Sequence, residues 1–126
     1  MRILVTASRT WPDPRCVHQQ LGFAVHELCR DASVTIVHGN AAGGDFMAHT
    51  WCDQHPRYGD VFVVEEIHRA AWRGPEGRAA GFWRSGRMVV SGIDLCLAFI
   101  CNQSRGATHC AGLAVKQGIP VRRFHA

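Results

Sequence analysis

Three short stretches carry residue types suited to holding an anion. They are Cys101-Asn102-Gln103-Ser104-Arg105-Gly106-Ala107-Thr108-His109, Thr6-Ala7-Ser8-Arg9, and Gly39-Asn40-Ala41-Ala42-Gly43-Gly44-Asp45. Small and hydroxyl residues leave backbone N–H groups accessible, and a helix beginning just beyond adds the positive end of its dipole. Ser104, Gly106 and Thr108 form the central candidate turn. Ser8 and Arg9 offer a hydroxyl and a guanidinium, a pair suited to phosphate. Gly39, Gly43 and Gly44 either let the backbone approach a ligand or turn the chain through positive φ. Asp45 can bond a sugar hydroxyl or act as a general base, but it also sits where a helix N-cap belongs.

Further candidates lie outside these turns. Arg84 falls on a helix beside a Gly-rich loop and is either a ligand contact or a surface arginine; Arg78 is the second choice. Trp72 either stacks on a base or packs down its own loop. His109 is either structural or a proton donor to phosphate. His49, Cys52 and His55 share part of one helix face, but structural zinc sites usually draw ligands from two segments. We expect neither a metal nor a cofactor.

The elements that must position these residues follow from periodicity. The chain has 126 residues, enough for one core, and 47% are hydrophobic against 19% charged, which excludes general disorder. Arg2 to Thr6, Val34 to His38, Val61 to Val64, Asp94 to Ile100 and Ile119 to Val121 read as strands. Helices are expected from Pro14 to Arg30, Asp45 to His55, Phe82 to Ser91 and Ala107 to Gln117; Asp13-Pro14 starts the first and Gly118 ends the last. From Glu66 to Gly81 the apolar spacing lapses, and a loop of that length in a small domain is usually functional. Alternating strands and helices predict an α/β domain with a mostly parallel, doubly wound sheet in the order 3-2-1-4-5. The switch point then falls between strands one and four, where ligands bind in such sheets. The turns after those strands are those holding Ser8 and Ser104.

The net charge of +4 suits an anionic ligand, and most of it is arginine, but no long basic run marks a nucleic-acid partner. The six cysteines form no C-x-x-C pair and no apolar run approaches ~18 residues, so we expect a cytoplasmic protein with reduced thiols and no membrane span. Phe82, Trp83, Met88 and Val89 occupy more than one face of the third helix, which predicts a homodimer or higher homo-oligomer.

The chain resembles the YspA-like branch of the SLOG superfamily, which also holds the LOG phosphoribohydrolases and the DprA DNA-processing proteins. Four stretches carry the likeness in family order. Arg2 to Arg9 matches a strand followed by T-G-S-R, with Ala7 in place of the glycine. Val37 to Asp45 matches V-H-G-x-A-x-G-x-D. Ala80 to Val89 matches A-G-P-x-R-N-x-x-M, with Ser85 in place of the asparagine. Asp94 to Phe99, then Gly106-Ala107-Thr108, matches D-L-x-L-A-F followed by G-T, with Ala107 intervening. The resemblance implies a Rossmann-like fold and a pocket for a nucleotide or nucleotide-derived ligand. In the LOG enzymes a P-G-G-x-G-T-x-E-E pattern supplies a catalytic Glu. If Thr108 takes the place of that Thr, His109 and Cys110 follow, and the Glu is absent. Arg84 and Met88 keep the R-x-x-x-M helix.

The expectation is therefore a single domain over residues 1–126 that senses or sequesters a nucleotide-derived molecule. The alternative is a nucleoside monophosphate phosphoribohydrolase-like enzyme in which Asp45 or Glu76 replaces the missing carboxylate.

Overall fold

A computed structural model describes residues 1–39, 43–75 and 77–126. The first strand, β1 (Arg2–Ala7), is an apolar run whose inner residues are buried on both faces, as the middle of a parallel sheet requires. Asp13 Oδ1 accepts a hydrogen bond of 3.2 Å from the Cys16 amide and Pro14 supplies the first turn, which starts α1 (Pro14–Leu28). Val17, Leu21, Ala24 and Val25 form its buried stripe. Then follow β2 (Ser33–His38), α2 (Gly44–Gln54), β3 (Arg57–Tyr58) and β4 (Val61–Ile67). A 3₁₀ turn at Gly77–Ala79 leads into α3 (Ala80–Val89), and β5 (Leu95–Ile100), α4 (Arg105–Lys116) and β6 (Val121–His125) complete the chain.

The sheet order is β3-β4-β2-β1-β5-β6. Five strands are parallel in the order the sequence predicts, with β1 between β2 and β5. The added strand is the antiparallel edge β3, joined to β4 through Gly59 at φ +60°. The last strand starts later than expected, because Pro120 lends only its carbonyl, to the Cys96 amide at 2.9 Å.

Helices cover both faces, which makes the fold Rossmann-like and doubly wound. On one face α1 and α2 bury Val17, Leu21 and Trp51 against Val5, Leu97 and Phe99. On the other, Met88 and Val89 of α3 and Cys110 and Ala114 of α4 pack on Leu4, Val37 and Cys96. Strand β5 is buried along its whole length. Among the described residues no helix is long and apolar enough to cross a membrane.

Candidate functional site

Right-handed parallel connections bring the turns after β1, β2 and β5 to the same end of the sheet. Ser8 fastens all three. Its amide donates to the Phe99 carbonyl at 2.8 Å, and its hydroxyl donates to the Cys101 carbonyl at 3.2 Å and accepts from the Cys101 amide at 2.9 Å. Its own carbonyl accepts from the Trp11 amide at 3.1 Å and the Gly44 amide at 3.5 Å. Ser8 is buried, so its hydroxyl is committed to the backbone of the neighbouring turn.

A cavity of about 470 Å³ opens beyond these turns, with Ser8, Arg9, Asp45, Arg84, Ser104 and Gly106 in its wall. Trp72 also lines it, lying beneath the Arg9 guanidinium at 5.8 Å from its ring centre. A more open cleft of about 820 Å³ adjoins it and shares Phe82, Cys101, Asn102 and Ser104. Thr108 and His109 belong to that cleft, with the His109 ring edge-on to Phe82 at 4.6 Å.

The turn after β5 is sharper than its sequence suggests. Asn102 and Gln103 both have left-handed φ, 52° and 51°, a conformation that asparagine tolerates but that costs most other non-glycine residues, Gln103 among them, roughly 1–2 kcal/mol. Asn102 Nδ2 donates to Thr10 Oγ1 at 3.1 Å, which ties this turn to the one after β1. The tight bend lets α4 begin at Arg105, two residues before the predicted start, so Gly106 and Thr108 lie in the helix. Ser104 is the N-cap residue, but its side chain makes no capping bond. The amides of the first turn thus have no acceptor within the helix and lie at the positive end of its dipole.

The three glycines after β2 have different roles. A Cβ on Gly39 would lie 2.7 Å from Arg84 Nη1, so glycine here makes room for the guanidinium. Arg84 Nη1 donates to the Gly39 carbonyl at 3.3 Å, and the buried Arg84 Nε has no hydrogen-bond partner among the described residues. Gly43 has φ +84°, and a Cβ there would overlap the Arg9 carbonyl. On Gly44 a Cβ would overlap the Ala7 Cβ, so the alanine at position 7 fixes a glycine at position 44.

Asp45 is buried, and its Oδ2 accepts from the Gly39 amide at 3.3 Å. It does not cap α2 as expected: Gly43 is the N-cap residue and Asp45 falls in the first turn, because the overlap-free Gly43-Gly44 pair lets the helix begin earlier. A carboxylate there still gains from the helix dipole. Ser85 Oγ donates to the Gly81 carbonyl at 3.1 Å, back along its own helix. Burial pushes the Cys110 thiol up, with the Thr6 and Ser85 hydroxyls pulling it back, so it stays protonated.

The candidates His49, Cys52 and His55 do not converge. His49 turns towards Glu65, whereas His55 Nδ1 lies 2.9 Å from the Trp51 carbonyl and its ring stacks on Trp51. Glu76 and the Arg78 side chain lie outside the described residues. Thr10, Cys101 and Asn102 also line the cavity, and although Cys101 and Asn102 open one of the anion-suited stretches, the sequence assigned none of the three a role of its own; the signal for Asn102 is that asparagine tolerates left-handed backbone.

Residues 1–64 match the YspA, cpYpsA-related SLOG family. That match covers the turns after β1 and β2. The chain is also 39% identical over 123 residues to the Gene 61 protein of Mycobacterium phage D29, an alignment spanning 98% of this chain and 95% of that protein. No solved structure matches the chain significantly. With half of its length matching the family and a relative aligned from end to end, the chain belongs to the YspA, cpYpsA-related SLOG family.

Proposed function

We propose that the protein binds a nucleotide-derived, phosphate-bearing small molecule in the cavity beyond β1 and β5. Family membership supports nucleotide-related ligand binding or processing in general. The observation that carries the specific reading is the pairing of an uncapped α4 N-terminus with Arg9 and Arg84 in one cavity wall. Neither arginine is in an ion pair among the described residues, so both can meet an incoming anion. In this reading phosphate meets the first-turn amides at Gly106 and Ala107 and the Arg84 guanidinium. Ser8 shapes the pocket instead of contacting phosphate. Asp45 bonds a sugar hydroxyl, and the exposed Trp72 offers a face to the base. A volume of about 470 Å³ suits a nucleoside monophosphate, since ligand pockets span about 300–1,000 Å³.

A phosphoribohydrolase-like enzyme is the second reading. It is favoured by the position of Asp45, a carboxylate in the same wall as Arg84. Nucleoside monophosphates, NAD, ADP-ribose and cyclic nucleotides, each incubated with the protein, separate the two. Binding alone raises the melting temperature and returns the ligand intact. Release of free base or ribose phosphate, lost in Asp45→Asn, makes the protein an enzyme.

The proposal includes self-association and a reducing, cytoplasmic setting. The structure buries Met88 and Val89 but leaves Phe82 and Trp83 exposed on α3. All six cysteines are free. Sedimentation at micromolar concentration is expected to give a homodimer, and a monomeric mass would remove that part of the proposal.

A further inference from the structure

Away from the cavity wall, a second polar cluster joins three chain segments. His38 ends β2, Glu65 lies on β4 and His49 on α2. The parallel register pairs Ile36 with Glu65 and His38 with Ile67, so His38 and Glu65 share the sheet face that α2 covers. His38 Nε2 lies 2.6 Å from Glu65 Oε2. His49 Nδ1 lies 2.8 Å from Oε2 and 3.0 Å from Oε1 of the same carboxylate. One nitrogen from each imidazole and a carboxylate oxygen all fall within 4.8 Å of one another.

We propose that His38, His49 and Glu65 form a binding site for a divalent first-row transition ion, with Zn²⁺ as its representative. Two imidazoles and one carboxylate suit zinc-like ions, whereas Mg²⁺ and Ca²⁺ favour oxygen donors. Around a tetrahedral ion with bonds of about 2.0–2.2 Å, ligand atoms sit roughly 3.3 Å apart, so side-chain adjustments are enough to seat it. The side chains are graded in exposure: His38 is fully buried, Glu65 is 21% exposed and His49 is 36% exposed. The buried histidine anchors the site and His49 leaves a route from solvent. Remaining coordination positions go to water.

The site differs from the single-helix set considered in the sequence. Cys52, one turn beyond His49, lies outside the ligand group. Without the ion the imidazole nitrogens facing Glu65 can donate their protons to it. When the ion binds, the same nitrogens use their lone pairs, and those protons move to the other ring nitrogen or leave to solvent. The ion then joins β2, β4 and α2 one residue before Gly39, whose backbone carries Arg84 and Asp45. Its role there is to position these elements.

The test is calorimetric titration of the purified, chelator-treated full chain with Zn²⁺ under reducing conditions. Co²⁺ absorption reports the ligand type. We expect one ion per chain, a Co²⁺ spectrum without thiolate charge transfer, and a melting temperature raised by Zn²⁺. His49→Gln and Glu65→Gln should each weaken binding by at least about 100-fold, more than the loss of an outer-shell partner. His49 is partly exposed, so His49→Gln should fold, and its metal-free melting temperature checks this. Absent binding, unchanged affinity in either folded variant, or a thiolate band would overturn the proposal.

Discussion

Two polar regions flank Gly39. Beyond β1 and β5, uncapped amides and two arginines face a cavity without ion-pair partners among the described residues. At the end of β4, Glu65 and Glu66 point to opposite faces of the sheet, and each already has two basic partners. Glu65 meets His38 and His49. Glu66 meets the Arg2 guanidinium at 2.7 Å and His68 Nε2 at 2.7 Å. The electrostatics differ accordingly. Burial pushes Glu65 up, but hydrogen bonds from the two histidines bring it below its ordinary value. Arg2 and His68 hold Glu66 at about 2. An arginine cannot give up its charge, so Glu66 is fixed as structure. Arg9 and Arg84 of the pocket, by contrast, have no carboxylate partner among the described residues.

The largest expected effect breaks the frame of the pocket. Gly44→Ala should destabilise the protein by about 3 kcal/mol, because the new methyl overlaps Ala7. Ala7→Gly in the same chain should restore most of that loss, since it removes the other methyl. Denaturant unfolding of both single variants and the double variant measures the coupling; additive effects would show that positions 7 and 44 do not meet.

Ser8→Ala comes next. It leaves the buried Cys101 amide without its acceptor and should cost about 2 kcal/mol. A loss of ligand affinity with unchanged stability would instead make Ser8 a direct phosphate contact.

On β4 the comparison becomes a pH experiment. The folded-state pKa of Glu66 is depressed to about 2, so its contribution is present above the ordinary carboxylate range. It is lost as pH falls from about 4.5 to about 2. The pair is partly exposed, which limits the effect to about 1 kcal/mol. Glu66→Gln should flatten that part of the stability profile against pH, whereas an unchanged slope would remove Glu66 from the account.

The smallest effect has the opposite sign. Gln103→Gly should stabilise the protein by about 0.5 kcal/mol, the left-handed strain relieved less the added chain entropy. Destabilisation would mean that the Gln103 side chain holds the turn.

The meeting of the turns after β1, β2 and β5 was legible in the sequence, because strand order suffices to place them. Buried β1 and β5 show as apolar runs, Asp13-Pro14 marks a helix start, and the turn after each strand follows from chain order. Edge strand β3 was not legible: Arg57-Tyr58 is too short for periodicity, and its pairing with β4 defines it. The start of α4 was misread because Arg105-Gly106 looks like loop, and only the left-handed turn before it fixes where the helix begins. Gly39 could not be separated from the other glycines, because its constraint is Arg84, 45 residues away. The cluster of His38, His49 and Glu65 was equally hidden, since its members meet only through strand register and helix packing.

The most direct test of the pocket is backbone amide NMR of this 126-residue chain during titration with the nucleotide that most raises its melting temperature. The account predicts the largest shift changes at Ser8 to Thr10 and Asn102 to Ala107, and their disappearance in Arg84→Ala at the same ligand concentration. Shifts centred on Thr108, His125 and Ala126 in the open cleft, or a pattern unaffected by Arg84→Ala, would contradict it.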